Sequence, residues 1–272
     1  MNAHASTARA ESAKPLHIGE HLREWRQRRH LSQLDLAGDA EISARHLSFV
    51  ETGRSAPSRD MVLKLAERLD VPLRERNVLL VAAGFAPAFP QRPLDDPALR
   101  SAREAINMIL KAHEPNPALA YDRHWNLVSA NRMLAPLLEG VPERLLSEPL
   151  NVLRLAFDPE GLAPRTVNLP EWAAHLLERL HRQCEATADP GLLKLYQELK
   201  SFPIPARSGP ISADNVAIPF KLRHNGEVLS FISTTMVFGT PIDITLQELA
   251  LETFFPADEL TARRLKDMQP RD

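Results

Sequence analysis

Residues 31–54, LSQLDLAGDAEISARHLSFVETGR, contain the pattern that decides the fold of the N-terminal part of the chain. Ser32 and Ser43 each stand before a short run with apolar residues at helical spacing. A serine hydroxyl caps a helix because it accepts a hydrogen bond from an otherwise unpaired backbone N–H. Gly53 follows the second run and is suited to ending a helix. Since residues 39–41 lie between the runs, the stretch predicts two short helices joined by a tight turn.

This arrangement is typical of a helix-turn-helix, in which the second helix enters the major groove of DNA. On that helix Leu47 and Val50 are three residues apart and are expected to pack inward together with Ile42. The side chains expected to contact base edges are Ala44, Arg45, Ser48 and Phe49. Those expected to contact the DNA backbone, which positions a protein without specifying sequence, are Ser32, Gln33, Ser43, His46 and Arg54. The stretch therefore predicts double-stranded DNA as a partner.

Two of the outward side chains also have structural explanations. Arg45 can bond a guanine at two points, or it can be a solvated surface charge. Phe49 can contact a thymine methyl group, or it can pack back on its own domain. Residues 16–60 carry seven Lys and Arg and seven Asp and Glu, so the segment is not basic. We therefore expect a weak, salt-sensitive monomer that binds two half-sites as a homodimer.

The chain is predicted to fall into five segments. Residues 1–15 are polar and alanine-rich, which predicts a disordered arm. Residues 16–88 predict five helices, the fourth capped by Ser58 and the fifth with Pro72 in its first turn. Residues 89–97 lie in a proline-rich stretch and predict a linker. The remaining segments are a second domain at 98–265 and a C-terminal tail at 266–272.

The second domain is predicted to mix helices and strands. The predicted helices are 97–113, 131–138, 170–188 and 190–201. The predicted strands are 118–121, 126–130, 215–223, 228–238 and 247–255, the last also compatible with a helix. Asn225-Gly226, between two of these runs, is a strong hairpin signal. The chain is therefore predicted to be α+β, with a five-helix all-α domain followed by a sensor domain built on a five-stranded antiparallel sheet.

Composition excludes some classes of protein and leaves others open. The 272 residues have a formal net charge of −2, which by itself does not favour a nucleic-acid partner. No apolar run approaches the roughly 20 residues needed to cross a bilayer. A single cysteine, Cys184, excludes an internal disulfide and fits a reducing compartment. We expect a cytoplasmic protein without a membrane partner.

Signals for catalysis are weak. His181 and Cys184 are three residues apart on a predicted helix, and such a pair can be nucleophilic, but no orienting partner or oxyanion site is evident near them. The histidines lack the spacing of a zinc site, and no glycine-rich phosphate loop is present. We expect no enzyme activity, no catalytic residue, no metal and no catalytic cofactor.

The N-terminal segment resembles the Cro/C1-type helix-turn-helix of the Xre family. The residues that carry the resemblance are Leu31-Ser32-Gln33, Ala37, Ile42-Ser43, Val50-Glu51, Gly53-Arg54 and Pro57-Ser58. The resemblance implies that Arg26 and Glu51 form an ion pair between the first and third helices. It also implies that Gln33 and Ser43 contact the DNA backbone.

The larger segment resembles the ligand-binding domain of MmyB-like transcription regulators, which is PAS-like. The matching stretches are 116–118, 125–128, 130–131, 151–154, 157–159, 238–241 and 254–258. The resemblance implies a five-stranded antiparallel sheet with helices covering one face. It further implies a small apolar ligand, such as a fatty acid, held between sheet and helices.

Residue chemistry adds candidates for such a pocket, which needs an apolar wall and a few fixed polar groups. The candidate wall residues are Trp125, Leu153, Phe157, Phe231, Met236 and Phe238. Arg154 is a candidate to meet a carboxylate at the pocket mouth, and Asn131 is a candidate ligand contact. Each has an alternative role: core filling for the apolar residues, a surface ion pair for Arg154 and a helix cap for Asn131.

Together these features predict a ligand-responsive transcription regulator. A ligand that prefers one arrangement of the second domain would shift the DNA-binding population through residues 86–97. The alternative is a DNA-binding protein whose second domain is only a dimerisation or protein-docking platform without a ligand.

Overall fold

The computed structural model of the chain describes residues 17–205 and 218–269. Contacts divide the chain into two units, Met1–Ala88 and Phe89–Asp272. The arm predicted at 1–15 lies outside the described residues, as do residues 215–217 of a predicted strand and the last three residues of the predicted tail.

The described part of the first unit, from residue 17 onward, contains five helices, as the sequence predicts. They are α1 (Ile18–Arg28), α2 (Gln33–Asp39), α3 (Ala44–Glu51), α4 (Arg59–Arg68) and α5 (Leu73–Ala82). The hydroxyls of Ser32, Ser43 and Ser58 each accept a hydrogen bond from the backbone N–H three residues later, so all three serines are N-caps. Pro72 stands at the cap position of α5 rather than in its first turn. Apolar side chains from all five helices meet in one core.

A glycine allows α1 to approach α3 unusually closely. A Cβ atom at Gly19 would lie 2.3 Å from the carbonyl oxygen of Val50 and 2.7 Å from that of Glu51. The position of α1 against the end of α3 therefore depends on the absence of a side chain at Gly19.

The second unit contains eight α-helices and five strands among its described residues. The helices are α6 (Arg100–Ala112), α7 (Leu134–Leu137), α8 (Glu143–Leu146), α9 (Val152–Phe157), α10 (Leu169–Thr187), α11 (Pro190–Lys200), α12 (Ile244–Gln247) and α13 (Glu259–Asp267). The strands are β1 (Ala118–Tyr121), β2 (Leu127–Ala130), β3 (Phe220–His224), β4 (Glu227–Val237) and β5 (Ala250–Pro256). They form one antiparallel sheet in the order β2-β1-β5-β4-β3.

The Asn225-Gly226 turn joins β3 to β4, as its sequence predicts. Both residues have positive φ, +48° and +83°, as a two-residue type I′ hairpin requires. The helix predicted at 131–138 is shorter than expected and contains only Leu134–Leu137. The strand predicted from residue 247 begins at Ala250, because Asp243 caps the short helix α12 before it.

Helices pack on both faces of the sheet, whereas the resemblance implies one covered face. Side chains alternate along a strand, so Leu119 and Tyr121 point to one face and Ala118 and Ala120 to the other. The first pair belongs to a large core shared with α9, α10 and α11. The second pair belongs to a smaller cluster shared with Ile106 and Leu110 of α6. At β1 and β5 the sheet is therefore the middle of three layers, with helices on both of its faces.

Much of the segment predicted as a linker, 89–97, is bonded to the second unit. The backbone oxygen of Pro90 accepts a hydrogen bond from the Ile244 N–H at 2.9 Å. Arg92 Nη1 lies 2.9 Å from Oδ2 of Asp243, whose side chain is almost fully buried. The Thr245 hydroxyl donates to the backbone oxygen of Arg92 at 2.5 Å. The segment is therefore anchored on the connection between β4 and β5.

Candidate nucleic-acid interface and ligand cavity

The outward face of α3 carries an arginine–aromatic cluster. Leu47 and Val50 are fully buried, which turns Arg45 and Phe49 toward the outside of the first unit. The Arg45 guanidinium lies 5.3 Å from the centre of the Phe49 ring, and that of Arg54 lies 6.0 Å from it. Such cation–π contacts hold guanidinium groups in place. The Phe49 ring is half-buried against its own unit, as one of the two roles considered for it requires, and contact with a thymine methyl group stays a prediction.

The other predicted base contacts lie on the same helix. Ala44 and Ser48 are half-buried, and Ala44 also packs against the core of the unit. His46, predicted to contact the DNA backbone, is half-buried, whereas Arg54 is exposed. The structure therefore places the predicted set on and next to one helix.

Three of the predicted DNA-backbone contacts already have partners inside the protein. Ser32 and Ser43 use a hydroxyl lone pair as helix caps, which leaves each O–H hydrogen available to a phosphate. Gln33 donates one amide N–H to Oε2 of Glu51 at 2.8 Å, and an amide nitrogen has a second N–H to donate. The internal bonds fix these side chains without using all their donors.

A buried carboxylate joins α1, α2 and α3. Glu51 is 3% exposed and receives two hydrogen bonds from Arg26, Nε to Oε1 at 2.7 Å and Nη2 to Oε2 at 2.9 Å. This is the ion pair that the helix-turn-helix resemblance implies. Burial raises the pKa of Glu51, but the bonds from Arg26 and Gln33 outweigh it and hold the pKa below its usual range. The carboxylate is therefore charged at neutral pH.

The second unit contains a partly open apolar cavity of about 100 Å³ between the sheet and helices α9 and α10. Trp125, Leu153 and Phe231 line it, as predicted from the sequence. Other lining residues are Leu119, Tyr121, Leu134, Leu137, Leu138, Ala156, Trp172, Leu176, Arg179, Phe220, Leu222, Glu252 and Phe254. The wall is almost wholly hydrocarbon, which suits an apolar ligand.

Trp125 is held in the wall by an unusual backbone. Its φ is +66°, a left-handed conformation that bulky residues rarely adopt and that is often found at functional sites. Its indole N–H donates to Oε1 of Gln183 at 2.7 Å, and its ring stacks on Tyr121 with centroids 4.6 Å apart. The side chain is therefore fixed from several sides.

Three predicted wall residues do not line the cavity. Met236 and Phe238 lie five and seven residues after Phe231, and odd spacings along a strand direction point to the opposite face. Met236 is accordingly exposed, and Phe238 packs against the smaller cluster beside α6. Phe157 is buried in the larger core, where its ring meets that of Phe202. The alternation of side-chain direction along β4 would have excluded Met236 and Phe238 from the predicted cavity wall.

The two predicted polar contacts also lie elsewhere. Arg154 makes a surface ion pair with Glu198, with Nε 2.6 Å from Oε1 and Nη2 2.8 Å from Oε2. Asn131 is buried, where its Oδ1 accepts from the N–H groups of Ala118 and Met133 and its Nδ2 donates to the carbonyl oxygen of Asn116. Arg154 therefore has the role of a surface ion pair, and Asn131 fixes backbone groups inside the unit; neither lines the cavity.

A polar cluster that sequence reasoning missed reaches the cavity. Arg179 donates from Nη1 to Oε1 and from Nη2 to Oε2 of Glu252, each at 3.0 Å. Burial opposes the charge of Arg179, but bonding to Glu252 outweighs it and raises the Arg179 pKa. Burial, followed by the charge of Glu252, raises the pKa of the Tyr121 hydroxyl, which therefore stays protonated. In the sequence, this polar cluster was indicated only by Glu252, a carboxylate within the mostly apolar residues 249–255.

The structure adds no support for catalysis. Burial raises the pKa of the Cys184 thiol, which leaves it protonated and poorly nucleophilic. His181 stacks on Tyr196 and lies 3.5 Å from Glu185. Across residues 17–205 and 218–269, no three His, Cys, Asp or Glu side chains are grouped to hold a metal ion. None of the helices in that same part of the chain is both long and apolar enough to cross a membrane.

Comparisons with known proteins agree with this division of the chain. A family model described as helix-turn-helix matches residues 22–76, and one described as MmyB-like transcription regulator ligand binding domain matches residues 102–268. The HTH-type transcriptional regulator DdrOP3 of Deinococcus deserti is 39% identical over 85 residues, which are 29% of this chain and 66% of that protein. The chain thus spans just under two thirds of that relative.

A solved structure is also similar over the N-terminal part. It is that of the clp gene regulator ClgR from Corynebacterium glutamicum, 22% identical, with 36% of this chain and 90% of that chain covered. Its TM-score of 0.22 is too low to indicate a shared overall fold. The second family match alone spans more than half of the 272 residues. The chain therefore belongs to the MmyB-like transcription regulators, with an Xre-type helix-turn-helix in front of the ligand-binding domain.

Proposed function

We propose that the chain is a cytoplasmic, homodimeric regulator of transcription that binds DNA through α3 and a small apolar molecule through the second unit. The observation that carries the proposal is the apolar cavity inside the part of the chain that matches the ligand-binding family. A fatty acid is the ligand that the resemblance implies, and the PAS-like classification of this unit belongs to the same proposal.

The first unit supports the DNA-binding part. Arg45 and Arg54 are both exposed, and the guanidinium of each lies within about 6 Å of the centre of the Phe49 ring. A guanidinium can bond guanine bidentately from the major groove or bind a phosphate as a charge. Because the unit is not strongly basic, its affinity must come from a few placed contacts, and pairing on two half-sites would multiply them.

The anchored segment 90–92 supports a route between the cavity and the DNA-binding unit. It is bonded to residues 243–245, which connect β4 to β5. These two strands carry Phe231, Glu252 and Phe254 of the cavity wall. A ligand that shifts the strands is therefore expected to shift the segment that leads back to Ala88. Such a shift changes DNA occupancy only if the ligand binds the two arrangements with different affinity.

The DNA-binding part predicts two different mutational effects. Arg45→Ala should relax preference at one base position, with a loss of discrimination of about 1–3 kcal/mol, because a bidentate base contact is removed. Arg54→Ala should weaken binding to all DNA sequences alike and reduce the salt dependence of that binding, as expected for a phosphate contact. Binding sites selected from random duplexes, followed by mobility shift at several salt concentrations, would measure both.

The matched control for these variants is Arg68→Ala, at the exposed end of α4. It should leave both selectivity and the salt slope unchanged. Unaltered base preference in the Arg45 variant would remove Arg45 from the base contacts. Lack of specific binding by the unmodified chain would contradict the DNA-binding proposal itself.

The cavity predicts that a larger lining side chain excludes ligand. Ala156 lines the cavity, so Ala156→Leu should occupy part of it and reduce 1-hexanol binding at least about tenfold, a change of about 1.4 kcal/mol. The indole N–H signals of Trp125 and Trp172, which also line the cavity, would report binding by NMR. Ala112→Leu, at an exposed position of α6, is the control and should bind normally. Absence of hexanol-dependent shifts in the unmodified chain would favour a docking platform without a ligand.

A further inference from the structure

We infer that the cavity selects uncharged apolar ligands and rejects carboxylates and other anions. The inference rests on the proposed ligand-binding function, keeps its apolar ligand and departs from the ionised fatty acid that the family resemblance implies. Arg179 and Glu252 are the charged residues among those that line the cavity in the described part of the chain. Their charges, +1 and −1, sum to zero, so the wall offers no net positive charge to an anion.

The Arg179 guanidinium is already engaged by the protein. Besides its two bonds to Glu252, Nη2 lies 3.0 Å from the Tyr121 hydroxyl and 2.9 Å from that of Thr235. The guanidinium carbon lies 4.9 Å from the centre of the Trp125 ring, within cation–π range. Arg179 is about one-sixth exposed and Glu252 is nearly fully buried. The arginine is therefore held and neutralised before any ligand enters.

An anionic ligand would meet two costs in this setting. It would lose hydration in a space walled by hydrocarbon, which is unfavourable for a charge without a partner. To gain Arg179 as a partner it would have to share the guanidinium with Glu252, which is covalently fixed beside it, and so lie next to that carboxylate as a like charge. A hydroxyl, carbonyl or ester group loses far less hydration free energy than a charge does, and Glu252 does not repel it. The cavity should therefore accept an alcohol, aldehyde, ester or hydrocarbon in preference to an ionised fatty acid.

Cavity size limits the ligand in the observed form of the protein. A cavity of roughly 150 Å³ lined by Leu, Ile and Phe holds benzene, and the cavity here measures about 100 Å³. The cavity is partly open, so a six-carbon chain whose end extends through the opening is a suitable probe, whereas a long acyl chain would require the wall to move.

The test compares 1-hexanol with hexanoate on the unmodified chain at pH 7, where a simple carboxyl with a pKa near 4 is ionised. Indole signals of Trp125 and Trp172 report the cavity, and that of Trp25, buried in the first unit, is the internal reference. Hexanol is expected to bind at least about tenfold more tightly than hexanoate. Equal or tighter binding of hexanoate would overturn the inference and leave ligand binding intact. If neither probe shifts the cavity signals, ligand binding itself fails.

A variant tests the cause of the selectivity. Glu252→Gln keeps the shape of the side chain and removes its charge, which leaves Arg179 with an unneutralised charge beside the cavity. Hexanoate should then bind the variant at least about tenfold more tightly than it binds the unmodified chain, whereas the affinity for hexanol should change less than about threefold. Glu227→Gln, which breaks an exposed pair with Arg264, is the matched control and should change neither. Unchanged hexanoate affinity in a folded Glu252→Gln variant would overturn the assigned cause. The comparison on the unmodified chain decides the selectivity even if the variant does not fold.

Discussion

Replacing Glu51 by glutamine is expected to lower the free energy of unfolding of the first unit by about 3–5 kcal/mol, the usual effect of removing one partner of a buried ion pair. Arg26 is mostly buried and its guanidinium faces both carboxylate oxygens. Glutamine keeps one acceptor oxygen but has no negative charge, and its NH2 group replaces the second acceptor. The Arg26 charge then has only neutral oxygens nearby, that of the amide and the backbone oxygen of Leu31, 2.8 Å from Nη1. The Trp25 indole signal followed through a urea titration would measure unfolding of this unit.

The matched control is Glu41→Gln, which removes the carboxylate of an exposed pair with Lys64. Exposed pairs contribute little because water and salt screen them, so the urea midpoint should barely change. An equal and small effect of the two substitutions would contradict a structural role for the Arg26–Glu51 pair.

The same pair predicts how stability responds to acid. The pKa of Glu51 is lower in the folded state than its ordinary value, since the hydrogen bonds from Arg26 and Gln33 outweigh the effect of burial. A depressed carboxyl pKa stabilises the fold above the unfolded pKa, near 4.3, and this contribution is lost as pH falls through the folded value. The difference in stability between the unmodified chain and Glu51→Gln should therefore be full at pH 7 and should shrink below about pH 4.

Gly19→Ala is expected to cost about 1–3 kcal/mol or more, the effect of forcing an extra carbon into a packed interior. The new Cβ would lie 2.3 Å from the Val50 oxygen, which is backbone and cannot rotate away. α1 would have to move from the end of α3, and the Arg26–Glu51 bonds would lengthen with it. DNA affinity should fall together with the urea midpoint.

Gly38→Ala, in the same unit, is expected to have the opposite effect on stability. Gly38 lies in α2, and an added Cβ would meet no atom within 4 Å. Alanine favours a helix over glycine by roughly 0.5–1 kcal/mol, so this variant should be more stable than the unmodified chain. Equal stability of the two glycine variants would show that close packing does not explain Gly19.

Local signals predicted the fold of this chain well. The capping serines placed the starts of α2, α3 and α4 because a cap acts on the next few residues only. The Asn225-Gly226 turn placed the β3–β4 hairpin for the same reason, since the positive φ values are needed at those two positions. Family resemblance then supplied the five-stranded sheet, which residue patterns alone left uncertain at 247–255.

Long-range contacts were harder to predict. Arg179 and Glu252 are 73 residues apart in the sequence, on α10 and β5, and only the folded chain shows that they pair. Arg154 was instead a candidate to meet a carboxylate at the mouth of the cavity, next in sequence to the wall residue Leu153. On a helix, successive residues point in different directions, and Arg154 turns outward to Glu198. The proline-rich segment was expected to be a linker because composition does not reveal that residues 243–245 bind it.

The single cysteine has a practical consequence. Cys184 lies on α10, four residues after Leu180 and within the same core, and its thiol is protonated and screened from solvent. Because Cys184 is only 9% exposed, labelling by a thiol reagent is expected to be slow and to speed up when α10 separates from its neighbours, so the labelling rate reports that opening. Since the chain contains no other cysteine, thiol labelling reports local unfolding at this position alone, beside the cavity, and needs no engineered label.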